Sequence, residues 1–322
     1  MTSGSIQHTF TSTTNLTSRS AHLMGATITI SISHGEADRL LDDVFLLLHL
    51  YEKRFSANDE TSELMQVNKA AGKNPVSVHP DLFELIKLGK KHSLASQSHL
   101  NIAIGPLVKA WRIGFFDARV PSPEEIEQAL LLTDPSCIEL DSKTSSVYLT
   151  KTGMSLDLGA LAKGYIADRI TEFLHGEEVT SALINLGGNI LTIGINEQTH
   201  RPWRIGIQHP RLPRGTNVAV LPIKNQSVVT SGIYERKLQA NGKTYHHILD
   251  QDTGYPIDTQ LTSLTVVSNQ SIDGEIWTTR LFGESPQSIL EQVEKETGID
   301  ALIVTENNHI HYSSGLIPEF LF

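Results

Sequence analysis

The sequence predicts an α+β protein built mostly on antiparallel sheets with flanking helices. From Ser181 onward, short strands follow one another closely in hairpin-like spacing. Helical segments do not alternate regularly with them, as a doubly wound parallel sheet requires. The chain has 322 residues, 39% hydrophobic and 19% charged, enough to bury a large core in one large domain or two ordinary ones. No repeat, low-complexity block or clear linker divides it. Residues 21–322 therefore read as one domain behind a polar stretch, 1–20.

That Ser/Thr-rich start suits a frayed arm or an edge strand. "ATITISIS" alternates strictly, as a half-buried strand does. Glu36 to Arg54 is helical, with Leu40, Leu41, Val44, Phe45 and Leu48 on one face. "FSANDETSELMQVNKAAG" is a polar turn running into a short helix that ends at Gly72. Pro80 to Ser96 is a second amphipathic helix. Ser122-Pro123-Glu124-Glu125 opens another, with a cap residue, Pro at the first position and early acids. "SSVYLT" and "SLDLG" read as strands ahead of a helix from about Ala160 to Leu174. "SALINLGGNILTIG", "PWRIGIQ", "NVAVLPI", "SVVTSG", "TYHHILD" and "LTSLTVVS" read as strands. Helices near Gly274–Leu281 and Pro286–Thr297 follow, and "ALIVT" and "HIHYSS" close the chain as strands.

Composition excludes several functions. A formal net charge of −10 argues against broad nucleic-acid binding. An anionic ligand needs local cations, backbone N–H groups or a metal to overcome that field. Cys137 is the one cysteine, so an intrachain disulfide and Cys-based zinc or iron–sulfur sites are out. No apolar run reaches the roughly 18 residues of a membrane span. The N-terminus lacks a basic start and an apolar core, so the chain is expected to be cytoplasmic, barring a removed leader.

Four stretches carry more polar and Gly residues than a plain core needs. In "MSLDLGALAKGY", a strand-like half ending in Gly159 feeds a helix whose free N–H groups favour an anion. Lys163 in the first turn opposes the helix dipole, which makes sense if it faces a phosphate. A solvated Lys, or one paired with Asp157 or Asp168, explains it equally well. The GxxxxGK[ST] spacing of a phosphate loop is absent. In "INLGGNILTIG", Asn185, Gly187, Gly188 and Asn189 interrupt an apolar strand, marking a bulge or a close approach. "VVTSGIYERK" followed by "YHHILDQDTGYP" places Thr230, Ser231 and Gly232 in a polar turn. His246 and His247, adjacent on a strand, point to opposite faces and cannot chelate one metal as a pair. In "DGEIWTTRLFG", Glu275 and Thr279 share a helix face and offer hard oxygen ligands suited to Mg²⁺, although a helix-start Glu favoured by the dipole fits the spacing as well.

Together these stretches resemble the ApbE-type flavin transferases, the FAD:protein FMN transferases. The likeness runs from "LMGATITISI" to "TTRLFG" and includes "FSANDETSELMQVN", "IGPLVKAW", "LDLGALAKGYIAD", "LINLGGNI", "TSG" and "HILDQDTGYP". The resemblance implies a T-shaped α+β fold with one FAD site. It implies Mg²⁺-dependent transfer of FMN from FAD to a Thr or Ser hydroxyl of an acceptor flavoprotein, a redox-complex or fumarate-reductase-like subunit, with release of AMP. By resemblance, the Mg²⁺ ligands are the Ala160 carbonyl, Glu275 and Thr279. His247 is the general base, and Lys163 holds a phosphate or ribose region of FAD. Asp157 accepts a hydrogen bond from FAD. Met24, Ser98, His99, Leu100 and Ile248 line its pocket, and Thr230, Ser231 and Gly232 lie beside the diphosphate. Asn58 belongs to the same binding region, at a place where the family often carries an aromatic ring.

The chain departs from the family at several of these places. Glu275 stands where Asp is usual. Asn101 and Ala103 replace Asp and Thr, and Gln251-Asp252 replaces Pro-Arg. Two alternatives use the same site: hydrolysis of the FAD diphosphate to FMN and AMP, and FAD binding without catalysis.

Overall fold

The computed structural model describes residues 16–321. In chain order the elements are β1 (Leu16–Leu23), β2 (Ala26–Ser33), α1 (Ala37–Phe55), α2 (Glu63–Lys69), β3 (Val76–Ser77), α3 (Pro80–Ser93), α4 (Gly105–Trp111), α5 (Pro123–Leu130), β4 (Ile138–Asp141), β5 (Ser146–Leu149) and α6 (Ala162–Gly176). Then come β6 (Ala182–Leu186), β7 (Asn189–Ile193), β8 (Trp203–Gln208), β9 (Asn217–Ile223), β10 (Ser227–Gly232), β11 (Lys237–Ala240), β12 (Lys243–His246), β13 (Leu261–Ser268), α7 (Ser271–Leu281), α8 (Pro286–Val293), β14 (Ile299–Thr305), β15 (Ile310–Tyr312) and β16 (Glu319–Phe320).

An eight-stranded sheet in the order β1-β2-β6-β7-β10-β13-β14-β15 forms the centre, and every pairing in it is antiparallel. Residues 16–23 form its edge strand β1, and residues 1–15 lie outside the described residues. One sheet face, through Ile28, Ile30, Ile32 and Ile184, packs on α1, α3 and α6. Farther along the sheet, Leu264, Val266 and Ile303 meet Leu281 and Phe282 at the end of α7 and Ile289 of α8. The opposite face, through Val228, Val267, Leu302 and Val304, packs on Trp203, Ile205, Ala219 and Leu221 of the smaller sheet β16-β9-β8. β13 is covered on both sides, so all eight of its residues are buried and it reads as continuous apolar and small residues, without alternation. A satellite cluster of Leu107, Trp111, Ile126 and Leu249 ties α4 and α5 to the loop after β12.

Four sequence expectations are corrected. Thr230, Ser231 and Gly232 form no turn but end β10, paired with Thr265, Leu264 and Ser263 of β13. "SALINLGGNILTIG" is not one strand with a bulge: β6 and β7 pair antiparallel across a two-residue turn at Gly187–Gly188. "SLDLG" is extended but is not a strand of any sheet. Its backbone hydrogen bonds go elsewhere: Leu156 N donates to Asn68 Oδ1 at 2.7 Å, Asn68 Nδ2 donates to Leu156 O at 3.0 Å, and Asp157 N donates to Ile102 O at 2.9 Å. One buried Asn side chain does the work of a neighbouring strand, which alternation alone cannot distinguish. The remaining one concerns the two histidines. β12 ends at His246, so His247 lies in a bend and not on the strand. A further helix, α4, appears where the sequence suggested only a motif; Leu107 and Trp111, four apart, supply its buried face.

Candidate active site

The site is built where α6 crosses α7. A methyl group on Gly164 would lie 2.7 Å from Glu275 Cγ, 2.7 Å from Ser271 O and 2.8 Å from Ile272 Cα, so only glycine permits this approach. One turn on, Asp168 accepts hydrogen bonds from the backbone N–H groups of Ser271 (2.7 Å) and Ile272 (2.9 Å) and caps the start of α7. Burial pushes its carboxyl up to about 6 despite those two donors. Asp168 is thus committed to α7 and is no partner for Lys163.

Glu275 is 6% exposed, and its Oε1 accepts a hydrogen bond from Asn189 Nδ2 at 2.9 Å. Asn189 Oδ1 accepts in turn from Ser271 Oγ at 2.7 Å, and Ser227 Oγ joins the chain at 2.9 Å from Ser271 Oγ. The turn Gly187–Gly188, both at positive φ, carries Asn189 to this position at the start of β7. Burial raises the Glu275 carboxyl, while the Lys163 charge and the Asn189 hydrogen bond pull it back. No cation forms an ion pair with Glu275 among the described residues.

Thr279 is one turn along the same face, half-buried, with no hydrogen bond to its hydroxyl among the described residues. Ala160 stands in the turn just ahead of α6. No backbone N–H among the described residues donates to its carbonyl, because the first helical bonds run to Leu158 and Leu161. A buried carboxylate without a paired cation, a free hydroxyl and a free carbonyl are hard oxygen donors. Their chemistry fits Mg²⁺.

Lys163 makes no ion pair or hydrogen bond among the described residues. The pairing with Asp157 is therefore absent. The Lys163 charge instead reaches both Glu275 and His247. Asp157 Oδ1 accepts from Gly159 N at 2.8 Å and shapes the turn ahead of α6. Burial raises the Asp157 carboxyl, and the charges of Arg236 and Lys109 oppose that rise.

His247 has a buried Nδ1 with no partner. Burial first, then the charge of Arg236, lowers its pKa to about 4; His246 and Lys163 push the same way, and a backbone hydrogen bond at Arg236 partly offsets them. The ring is consequently neutral at pH 7, as a proton acceptor must be. His246 is anchored differently, with Nε2 at 3.1 Å from Ile257 O.

The remaining predicted site residues lie in several different elements, each with its own partners. Met24 holds a left-handed turn (φ 51°) with its N–H donating to Glu52 Oε1 at 2.6 Å. Thr230 Oγ1 pairs with Thr265 Oγ1 at 2.8 Å, Ser231 is half-buried, and Gly232 leaves room for the ring of Tyr234. Ser98 Oγ accepts from Leu100 N at 3.2 Å, and Ser98 O accepts from Gln251 Nε2 at 2.8 Å. His99 lies 3.6 Å from Glu284, Leu100 belongs to the main core, and Ile248 packs beside Ile257. Asn58 is exposed in the turn after α1, and no hydrogen bond among the described residues links it to the helix crossing.

Sequence reasoning missed Asn189 as a Glu275 partner, Gly164 as the crossing point, and Arg236. The first two had signals: an Asn opening an apolar strand, and the four-residue spacing of Ala160, Gly164 and Asp168.

Comparison with known proteins bears on this geometry. A model of the ApbE family matches residues 24–303. A FAD:protein FMN transferase of Klebsiella pneumoniae (strain 342) is 46% identical over 298 residues, covering 92% of this chain and 92% of the relative. One of Treponema pallidum (strain Nichols) is 34% identical, covering 88% and 81%. The ApbE protein of Thermotoga maritima superposes with a TM-score of 0.86 at 28% identity, over 93% of this chain and 97% of that one. The Pseudomonas stutzeri flavinyl transferase ApbE shares the fold at a TM-score of 0.79 and 23% identity, over 95% of each chain.

Proposed function

Because this chain belongs to the ApbE family, we propose that it transfers FMN from FAD to a Thr or Ser hydroxyl of an acceptor flavoprotein and releases AMP. By its kinship with proteins named FAD:protein FMN transferase it is a transferase. The observation that supports the finer reading is that the charge of Lys163, at the helix crossing, reaches both the buried Glu275 carboxyl and the neutral His247 ring.

The reaction forms a bond from the acceptor hydroxyl oxygen to the FMN-side phosphorus and breaks the bond from that phosphorus to AMP. His247 takes the hydroxyl proton, for which its neutral ring is suited. Lys163, unpaired among the described residues, holds a phosphate. Asp157 accepts a hydrogen bond from FAD. Met24, Ser98, His99, Leu100, Ile248 and Asn58 contribute to its pocket, and Thr230, Ser231 and Gly232 lie beside the diphosphate.

The Ala160 carbonyl, Glu275 and Thr279 would hold Mg²⁺, which supplies charge neutralisation of the diphosphate when bound. Asn189 orients the Glu275 carboxylate for that task. No helix among the described residues is long and apolar enough to cross a membrane, and we place the reaction in the cytoplasm.

Incubation with FAD, Mg²⁺ and a candidate acceptor tests the proposal. The expected result is an acceptor mass gain equal to FMN that survives denaturation. FMN and AMP free in solution would show hydrolysis instead, and bound, intact FAD would show a binding protein.

A further inference from the structure

Arg236 occupies the short connection between β10 and β11. Its neighbour Tyr234 turns inward, where a methyl on Gly232 would lie 2.7 Å from the Tyr234 ring. Arg236 turns outward and is exposed. Its aliphatic stem lies along Gly114 in the loop after α4: a methyl there would be 2.7 Å from Cδ and 3.3 Å from Cγ, and Gly114 has φ +95°. Its Nη2 reaches the Met24–Gly25 turn, 4.0 Å from where a methyl on Gly25 would sit.

The side chain therefore runs from its own loop past Gly114 toward the Met24–Gly25 turn, and its charge reaches Asp157 and His247. Among the described residues it makes no ion pair and no hydrogen bond. Nearby charged groups behave otherwise. Glu235 pairs with Arg214 at 2.6 Å, Arg112 with Asp117 at 2.6 Å, and Arg119 with Glu125 at 2.7 Å. The carboxylate whose charge does reach Arg236, Asp157, is committed through Oδ1 to the Gly159 amide.

We propose that Arg236 is a second cationic clamp on the substrate, binding the diphosphate of the flavin dinucleotide together with Lys163. A guanidinium presents a planar fork of donors that matches two phosphate oxygens, which a lysine cannot do. Its stem is held against Gly114, so the fork is positioned before the ligand arrives and less side-chain freedom is lost on binding. An uncompensated cation whose charge reaches a neutral imidazole also favours a nearby anion. This inference rests on the flavin-transfer reading and adds a binding residue to it.

The test measures FAD affinity by fluorescence quenching in the full chain, with Arg236→Gln and Arg236→Lys. The side chain is exposed, so both variants are expected to melt, without FAD, at the temperature of the unmodified protein. Losing a charge-assisted pair of hydrogen bonds should weaken FAD binding about tenfold to a hundredfold in Arg236→Gln. Arg236→Lys should lose less. FAD affinity in Arg236→Gln that stays within about twofold of the unmodified protein would overturn the assignment. So would a weakening accompanied by a matching drop in the melting temperature, since that would make Arg236 a structural prop. Failure of the unmodified protein to bind FAD would overturn the flavin reading itself.

Discussion

Replacing Gly164 by alanine tests whether the helix crossing sets the site. Gly→Ala in a helix interior contributes about 1 kcal/mol of stability. Here the new methyl would meet Glu275 Cγ at 2.7 Å, Ser271 O at 2.7 Å and Ile272 Cα at 2.8 Å. Ordinary carbon contacts lie near 3.5–4.0 Å, so α7 must retreat by roughly 1 Å. Two of the three obstacles are backbone, so no rotamer change relieves them. Overpacking of this kind costs about 1–3 kcal/mol. Set against the helix gain, the net loss is about 1 kcal/mol, a fall in melting temperature of roughly 2–4 °C.

The functional effect should be larger than the stability effect. Glu275 and Thr279 ride on the displaced helix, and a 1 Å misplacement of a reacting array can cost about a hundredfold in rate. Thermal melting and the rate of covalent flavin transfer to an acceptor measure the two quantities. Gly176→Ala at the far end of α6, where a methyl meets nothing within 4 Å, is the control and should leave both near the unmodified values. A Gly164→Ala protein that is more stable and fully active would refute the reasoning, because it would show that the crossing has slack.

His247→Ala should abolish transfer and leave FAD binding largely intact; unchanged transfer removes His247 from the base role. With the imidazole pKa lowered to about 4, transfer by the unmodified protein should hold as pH falls from neutrality and decline only near that value; a half-maximal point near the ordinary histidine value would contradict the burial of the ring. Glu275→Asp draws the carboxylate back from Asn189 but keeps a hard oxygen ligand on the helix face, so Mg²⁺ dependence of transfer should persist; complete loss of metal response would mean the metal helix is misidentified. Burial pushes the Asp168 carboxyl up to about 6 from its ordinary 3.8, so the folded state binds more protons across that window and stability falls as pH rises through it. The difference amounts to about 3 kcal/mol. Urea unfolding of Asp168→Asn at both ends of the window should show that this pH-dependent loss is gone, and the same pH slope in both proteins would contradict it.

Much of this architecture could be read locally. The Ser122-Pro123 start appears as a full capping box, with Glu125 accepting from the Ser122 N–H at 2.8 Å, because caps depend on three or four neighbouring residues. "INLGGNI" is only half legible: its glycines flag a break in an apolar strand, but that break is a tight turn between two paired strands and not a bulge. "SLDLG" could not be read in this way. Its alternation is real, but its hydrogen-bond partner is Asn68, 88 residues away. The site divides along the same line. Lys163, Glu275 and Thr279 stand out by type and spacing. The close approach of α6 and α7 that brings the Lys163 charge to bear on Glu275 depends on Gly164 and Asp168, which carry no chemical signature of their own.

By itself the sequence determined the α+β class, the family and the capped start of α5, because these depend on composition, short-range periodicity and motif order. The tertiary structure alone decided how the polar and charged side chains are partnered. It committed Asp168 to a helix cap and Asp157 to a turn, and it left Lys163 and Arg236 without counter-charges among the described residues. Whether a cation is paired depends on which distant segment folds against it, and neighbours in sequence do not specify that.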